Sequence, residues 1–300
     1  MLSRRQFGKG LLGLTLAGLL AGGYGVWVEP VLRLRVQRWV LQPAAWRRGQ
    51  RLRLVILADL HAGGPGMDEA RVAQVVARAN GLGGDLVLLL GDYRATHPLQ
   101  SRIVPIEVTA PILAGLTAPL GVHAVLGNHD WRDQIRFHGP ARGGRTHTQE
   151  VLEAQGIPVL VNRAVKLGQG EESFWLAGLD SQSAFQGFAA RRRDIKGMDD
   201  LPGTLAQLAD DDPVIMMAHE PDIFVDMPDR VALTLSGHTH GGQVRFGPWT
   251  PVVNSRYGSR FAWGHVREGG RDLVVSGGLG CSGLPVRFGS PPEITVVDLL

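Results

Sequence analysis

The chain has 300 residues, of which 44% are hydrophobic, and this length suits a single α/β domain with a large core. The formal net charge is +3, but it is unevenly divided: ten Lys or Arg and one acidic residue precede position 54, and 21 basic and 27 acidic residues follow. The acidic main part disfavours a basic groove, so we expect no nucleic-acid partner.

The N-terminus carries a targeting pattern. Residues 3–9 read Ser-Arg-Arg-Gln-Phe-Gly-Lys, and an uncharged, glycine-rich apolar run follows from Gly10 to Val28. This pattern resembles a twin-arginine export signal. We therefore expect residues 1–30 to be a signal or membrane anchor, the twin-arginine export machinery to be a partner, and the folded domain to reach the periplasm or cell envelope. No clear cleavage site follows the small residues Ala17 and Ala21, so an uncleaved anchor remains an alternative.

The chain after this leader alternates strands and helices. Leu32–Val36 alternates apolar and basic residues, which predicts an edge strand with a solvated arginine face. Further strands are predicted at 51–57, 85–90 and 122–126, with a helix from Met67 to Asn80 that has one apolar face. This order predicts one α/β domain over residues 31–300.

The second half is less regular. Strands are predicted at 158–162 and 173–179, and an insertion or lid over the site is predicted within residues 131–200, where loops are rich in His, Arg and Gly. After His240, short strands that include Leu273–Ser276 and Ile294–Leu299 indicate a second sheet.

Several apolar segments end in residues that bind metal ions well. These residues are Asp59, His61, Asp92, Asn128, His219, His238 and His240. Asp-x-His and His-x-His spacings place both side chains on one side of an extended chain, so each pair can bind one ion. Asn128 indicates a dinuclear centre, because an amide oxygen is a modest ligand that is rarely placed among imidazoles and carboxylates otherwise. Taken alone, Asn128 and His129 could equally close a strand as a turn.

Five sequence blocks occur in the order found in the calcineurin-like metallophosphoesterases, and the chain resembles that family. The blocks are Asp59-x-His61, Gly91-Asp92, Gly127-Asn128-His129-Asp130, His219 and Gly237-His238-x-His240. The leader and residues 283–294 further resemble an exported, membrane-associated bacterial branch. The resemblance implies a four-layer α/β/β/α sandwich with a dinuclear metal site at the C-terminal ends of the strands.

The resemblance also implies a role for each residue. One ion would be held by Asp59, His61 and His240, and the other by Asn128, His219 and His238, with Asp92 as the bridge. These donors suit Mn, Fe or Zn better than Mg. A water shared by two ions about 4 Å apart would attack phosphorus in line without a protein nucleophile. His129 would protonate the leaving oxygen.

One position departs from the family's phosphoprotein phosphatases. They carry a second acidic residue that orients the catalytic histidine, three residues after the bridging one, where this chain has Ala95. Alanine cannot accept a hydrogen bond, so a Ser/Thr phosphatase is disfavoured and the partner of His129 is left open.

We therefore expect a metal-dependent phosphodiesterase that acts on a small or lipid-linked phosphoester outside the cytoplasmic membrane. Because arginine binds phosphate well, substrate contacts are predicted for Arg191, Arg192, Arg193 and Arg287. One alternative is hydrolysis of the UDP-2,3-diacylglucosamine pyrophosphate in lipid A synthesis, a cytoplasmic substrate. Another is a non-catalytic, exported metal-binding envelope protein.

Overall fold

The structure is a computed structural model that describes residues 4–95, 99–139, 141, 144–185 and 197–300. The strands in this part of the chain are β1 (Arg35–Leu41), β2 (Leu52–Leu57), β3 (Gly63–Gly64), β4 (Leu86–Leu89), β5 (Arg102–Ile103), β6 (Val122–Ala124), β7 (Arg163–Leu167), β8 (Phe174–Gly178), β9 (Val214–Met217), β10 (Val231–Ser236), β11 (Gly264–Glu268), β12 (Arg271–Val275) and β13 (Glu293–Leu299). The α-helices are α1 (Arg4–Gly23), α2 (Glu69–Asn80), α3 (Ile106–Leu113), α4 (Asn128–Asp133), α5 (His147–Ala154) and α6 (Leu201–Leu205).

Most of these strands form two sheets. The first has the order β1-β13-β2-β4-β6, and the second has the order β11-β12-β10-β9-β8-β7. In the first sheet β2, β4 and β6 run parallel, and in the second β8, β9, β10 and β12 do. Because parallel strands end at the same edge of a sheet, the loops that follow them come together there.

Three apolar clusters show how the layers stack. One joins the outer face of the first sheet to α2, α3 and α5 through residues such as Val72 and Leu152. A second fills the space between the sheets, with Leu88 from one sheet and Leu235 from the other. The third covers the outer face of the second sheet and includes Phe224. The predicted four-layer α/β/β/α sandwich is therefore confirmed.

The predicted helix at 67–80 shows how local sequence forms these layers. The helix is α2, and its first turn is capped by the Asp68 side chain, which accepts a hydrogen bond from the Arg71 N–H. The residues buried on the first sheet are Val72, Val75, Val76 and Ala79, as the apolar spacing predicts.

Two expectations about the second half need correction. Residues 158–162 do not form a strand but contribute one bridge at Val159, and the strand lies at 163–167. Ile294–Leu299 belongs to β13, which joins the first sheet between β1 and β2 and not the second. Within 131–200, α5, β7 and β8 are part of the sandwich, and residues 186–196 lie outside the described residues, so an insertion over the site stays a prediction.

The N-terminal helix runs into the domain without a spacer. Tyr24–Leu32 continues α1 as a π-helical turn, so the predicted edge strand begins later, at Arg35, as β1. In this turn Glu29 is buried and accepts a hydrogen bond from the Ser290 N–H at 2.6 Å. The Gly25 carbonyl accepts one from the Arg287 N–H at 2.8 Å. The boundary expected at residue 30 therefore falls inside a segment that packs on the domain.

Candidate metal centre

The predicted ligands lie where the C-terminal edges of the two sheets meet. Asp59 and His61 follow β2, Asp92 follows β4, Asn128 begins α4 after β6, His219 follows β9, and His238 and His240 follow β10. All seven residues are buried. The structure thus brings together residues that are up to 181 positions apart in the sequence.

Asp92 lies between two groups of ligands. Its Oδ2 atom is 3.4 Å from Nε2 of His61 and 3.2 Å from Nε2 of His219. His219 Nε2 is in turn 3.2 Å from Nδ1 of His238. The Asp92 carboxylate therefore lies close enough to both groups of side chains to act as a bridging ligand.

Asp59, His61 and His240 form the other group. The Nε2 atoms of His61 and His240 are 3.1 Å apart, and Oδ1 of Asp59 is 3.4 Å from His240 Nε2. Two imidazole nitrogens and a carboxylate oxygen thus converge on one point. This arrangement suits a cation that all three can contact.

Backbone carbonyls fix which nitrogen two of the imidazoles present. Nδ1 of His61 lies 3.2 Å from the Arg94 carbonyl, and Nδ1 of His219 lies 2.6 Å from the Leu90 carbonyl. A carbonyl can only accept, so each Nδ1 carries the proton and donates it. The lone pair is then on Nε2, which faces the centre, as is usual for metal-binding histidines.

The backbone at the site adopts an uncommon conformation. Seven non-glycine residues among those described have positive φ, and five of them are predicted ligands. These five are Asp59, His61, Asp92, His238 and His240, with φ between 41° and 69°. Such left-handed conformations cost free energy and tend to mark functional sites.

Glycines next to the ligands permit close approach. A Cβ added at Gly127 would lie 2.2 Å from Oδ1 of Asp92, and one added at Gly237 would lie 2.5 Å from Oδ2 of Asp59. Both distances are shorter than any van der Waals contact. The glycines before Asn128 and His238 therefore leave the space that the two carboxylates occupy.

Asn128 gives the clearest sign of an absent ligand. It is buried, and neither its Oδ1 nor its Nδ2 has a hydrogen-bond partner among the described residues. A buried amide without a partner is costly, which favours a ligand from outside the described residues. A cation fits the Oδ1 atom, since the N–H of the next residue, His129, donates to Asp92 Oδ1 and so holds this loop against that carboxylate. The residues present therefore fit a pair of divalent metal ions.

The electrostatics of the site agree with this fit. Burial lowers the pKa of His61 and of His238 to about 4, so both rings are neutral and have a free lone pair at neutral pH. Burial also acts to lower the pKa of His219, but Asp92 and Asp59 outweigh it and raise that pKa well above its usual value. The two carboxylates thus favour a positive charge between them, which a divalent ion would supply.

His129 lies at the edge of the centre. Its ring is 4.9 Å, edge to face, from that of His61, and its backbone N–H donates to Asp92 Oδ1 at 2.8 Å. Its Nε2 atom is 3.3 Å from Oγ of Ser282 and 3.4 Å from Nη1 of Arg132. Ser282 and Arg132 therefore contact the ring at Nε2, whereas the side chain of Ala95 offers no polar atom.

Two supporting residues were missed in the sequence. Asp130 accepts hydrogen bonds from the N–H groups of Gly127, Asp92 and Tyr93 at 2.7, 2.9 and 3.2 Å, so it ties two ligand loops together. Its place in the Asn-His-Asp block is a signal that could have found it. Asn254 lies 2.9 Å from Nε2 of His238, and nothing in its sequence surroundings points to that contact.

Of the four predicted substrate arginines, Arg287 lies within the described residues. Arg287 is fully buried, and its guanidinium donates to the carbonyls of Gly277, Gly280 and Ser290. Its Nη2 atom also lies 3.2 Å from His240 Nδ1. Because its donors are bound to carbonyls, these contacts do not support the expected contact of Arg287 with a substrate phosphate, which stays a prediction. Arg191, Arg192 and Arg193 lie outside the described residues.

One cavity adjoins the centre, and a second lies beyond Phe185. A polar cavity of about 590 Å³ opens beside His238 and is lined by Asp222, Asn254 and Arg256 among others. A largely apolar cavity of about 410 Å³ is lined by Trp131, Ile135, Ala141 and Met198. Phe185 lines both. The centre thus has room on one side for a polar group and, beyond Phe185, for an apolar one.

Several known proteins have sequences similar to this one. Residues 52–242 match the calcineurin-like phosphoesterase family. The uncharacterized metallophosphoesterase YkuE of Bacillus subtilis is 30% identical over 99% of this chain and 98% of its own length. The phosphodiesterase YaeI of Escherichia coli is 28% identical over the full length of both chains. A transmembrane protein with a metallophosphoesterase domain from Danio rerio is 29% identical over 83% of this chain and 53% of its own length. The chain therefore belongs to the calcineurin-like phosphoesterases, hydrolases whose active site is dinuclear, and it is a metal-dependent phosphoesterase.

Proposed function

We propose that the protein is a phosphodiesterase whose substrate is a small or lipid-linked phosphoester outside the cytoplasmic membrane. The observation that carries this proposal is the polar cavity beside His238. A monoester has one carbon substituent, which leaves with its oxygen, whereas a diester has a second that must be accommodated. The cavity of about 590 Å³, which has the predicted metal ligand His238 in its wall, provides room for that second substituent.

The metal assignment follows the two groups of side chains. One ion would be held by Asp59, His61 and His240, and the other by Asn128, His219 and His238, with Asp92 shared. Two carboxylates, one amide and four imidazoles suit Mn, Fe or Zn. When bound, the two ions would lower the pKa of a shared water and stabilise negative charge on the phosphoryl oxygens.

His129 is proposed as the acid that protonates the leaving oxygen. Burial lowers the pKa of its imidazole to about 3, so the ring is neutral when no substrate is bound. A phosphoester anion beside the ring would favour its charged form and raise that pKa. Ser282 and Arg132 contact Nε2, and Asp92 holds the backbone N–H, so the ring is oriented without the acidic residue that Ala95 replaces.

The apolar cavity supports a substrate with an acyl or other apolar part. Phe185 lies between the two cavities, so an amphiphile can place its polar group beside His238 and its chain near Ile135. An acylated sugar nucleotide fits the same arrangement. The UDP-2,3-diacylglucosamine pyrophosphate is therefore the second substrate to test, although it is cytoplasmic.

The proposed location rests on the leader. Among the described residues, Gly13–Leu32 is helical and is long and apolar enough to cross a membrane by length and composition. A relative from Danio rerio is named as a transmembrane protein. We propose that the twin-arginine machinery exports the folded domain and that the helix then keeps it at the outer surface of the membrane.

The test is the ratio of kcat/KM for a chromogenic phosphodiester to that for the matching monoester, measured with and without added Mn. We expect the diester to be preferred and the activity to depend on the metal. A second pair compares a lipid phosphoester with a phosphopeptide, in the parent and in a variant with Arg191, Arg192 and Arg193 changed to alanine. A preference for the monoester or the phosphopeptide would overturn the proposal. Two bound ions without turnover on any ester would favour a non-catalytic metal-binding protein.

A further inference from the structure

The described surface has an aromatic and aliphatic patch beside the metal centre. It consists of Phe246, Trp249, Val252 and Leu284, whose side chains are 52–74% exposed. We call these four residues the apical patch. Phe246 and Trp249 face each other across a tight turn with stacked rings 5.7 Å apart, and their backbones exchange two hydrogen bonds. Large apolar side chains held outward on a fixed turn indicate a contact surface.

A chain of ring contacts joins the apical patch to the base of the apolar helix. Phe246 lies 5.4 Å from Phe288, and Phe288 lies 5.7 Å from Tyr24, the first residue after α1. Around this base Trp27 is 54% and Leu32 63% exposed. The patch and the helix base are therefore parts of one continuous apolar surface, with aromatic rings where the helix meets the domain. Aromatic rings of this kind are typical of the membrane–water interface.

The charge near the helix base also fits a membrane surface as the partner. Glu29, the acidic residue of this segment, is buried and so does not offset the charge of the exposed Arg33 at the base. Arg33 lies just after the helical segment and donates to the Tyr24 hydroxyl at 2.7 Å. Anionic phospholipid headgroups attract exposed arginines, whereas a neutral protein surface would not need them.

The loops that carry the apical patch also carry the metal centre. Residues 243–256 begin next to His240, pass through the patch and end in the wall of the polar cavity at Asn254 and Arg256. Leu284 follows Ser282, which contacts His129. A partner that contacts the apical patch would therefore lie next to the opening of the active site.

We infer that the apical patch inserts into the lipid bilayer beside α1 and holds the mouth of the active site against the headgroups, so that the phosphoester is taken from the membrane and not from solution. The role of the apical patch as a membrane-contact surface follows from the contacts above. Only the inference that the substrate comes from the membrane rests on the proposed function. An apolar chain of the substrate could then enter the cavity beyond Phe185 without crossing water.

The first test measures insertion. The full-length protein is reconstituted in vesicles of phosphatidylglycerol and phosphatidylethanolamine, with Cys281→Ser and either Val252→Cys or Val40→Cys labelled by an environment-sensitive fluorophore. Val40 is the matched control, because it is 62% exposed and lies in β1, about 17 Å along the strand from Arg35 at its helix-proximal end. We expect blue-shifted emission and quenching by lipid-attached nitroxide at position 252 only. Equal, water-like emission at both positions would overturn the inference.

The second test measures turnover. The double variant Phe246→Ser with Trp249→Ser should lose about tenfold in kcat/KM on a vesicle-borne phosphoester, since two aromatic side chains no longer enter the bilayer. On a soluble chromogenic diester its kcat/KM should stay within about twofold of the parent, and Val40→Ser should change neither rate. Equal losses on both substrates would contradict delivery from the membrane. If the parent hydrolyses neither substrate, the proposed function fails while the fluorophore still decides whether the patch inserts.

Discussion

Asn128 and His129 are neighbours in the chain, and the structure gives them different surroundings. The Asn128 amide is buried and has no protein partner among the described residues, whereas the His129 ring contacts Ser282 and Arg132 at the edge of the same centre. The amide of Asn128 favours a cation from outside the described residues. The imidazole of His129, at the edge of the centre, can reach a substrate oxygen. Single substitutions can separate these two roles.

Asn128→Ala should lower the number of bound metal ions from roughly two to roughly one per chain, because it removes one ligand of one ion. Metal analysis of the reconstituted protein measures this. The free energy of unfolding without metal should hardly fall, since no hydrogen bond within the described protein is lost.

Asn162→Ala is the matched control. Asn162 is half-buried, and its side chain bonds the Asp180 and Asp200 N–H groups and the Met198 carbonyl. That variant should lose about 1–3 kcal/mol of stability and keep its metal content. The reverse pattern would show that Asn128 is structural.

His129→Ala should lower kcat on esters with poor leaving groups by about 100-fold or more, because an acid is removed, while the metal content stays near that of the parent. With a nitrophenol ester the loss should be much smaller, since nitrophenolate leaves without a proton. Rates for a series of leaving groups provide the measurement. A loss independent of the leaving group would assign His129 to binding or structure.

At the scale of the elements, each ligand loop follows a short buried strand and turns sharply. The turn before Asn128 is crowded, since a Cβ at Gly127 would overlap Asp92. This crowding connects the loop after β6 to the loop after β4, and Asp130 reinforces the connection through three backbone N–H groups. The loops after β4 and β6 therefore stabilise each other's conformation.

Gly127→Ala should weaken metal binding and lower stability by about 1–3 kcal/mol, because the added methyl displaces the Asp92 carboxylate. Thermal unfolding with and without metal checks both effects. Gly81→Ala is a suitable control: its φ is −68° and its added Cβ would meet nothing closer than 3.5 Å. A Gly127→Ala protein that binds metal as the parent does would refute the steric argument.

The elements also show what local sequence could and could not predict. The α2 helix follows from the helical spacing of its apolar residues, and β2, β4 and β6 follow from short apolar runs that end in metal-binding residue types. The sheet to which Ile294–Leu299 belongs could not be predicted, since strand pairing over more than 200 residues leaves no local pattern. The same holds for the burial of Arg287 and for the contact of Asn254 with His238, which depend on loops that meet only in the folded chain.

At the scale of the whole molecule, the leader and the domain are structurally continuous. Glu29 and Gly25 bind the segment at 287–290, which also contacts His240 through Arg287. Removing the residues after Tyr24 would therefore disturb the domain. This contact favours retention of the helix under the export route that we propose.

Replacing Arg4 and Arg5 by lysine should trap the protein inside the cell, because the export pathway reads the arginine pair and not its charge. A C-terminal reporter that is active only outside the membrane measures this. In the parent, the membrane fraction should contain a chain whose N-terminal peptide is intact by mass spectrometry. The pair Arg47→Lys with Arg48→Lys is the control and should be exported. A reporter signal from the Arg4 and Arg5 variant, or none from the parent, would refute this route.

The position of β13 has a consequence for synthesis. β1 follows the leader directly, yet within the described part of the chain its only strand partner is β13, the last strand, which also pairs with β2. Until β13 is synthesised, β1 is therefore an unpaired edge and the first sheet lacks the strand that joins β1 to β2. The sheet can close only after residues 293–299 have emerged from the ribosome, later than every other strand of the described chain. A route that carries finished proteins must wait for that event, and the open edge of β1 next to the leader is available to cytoplasmic chaperones until then.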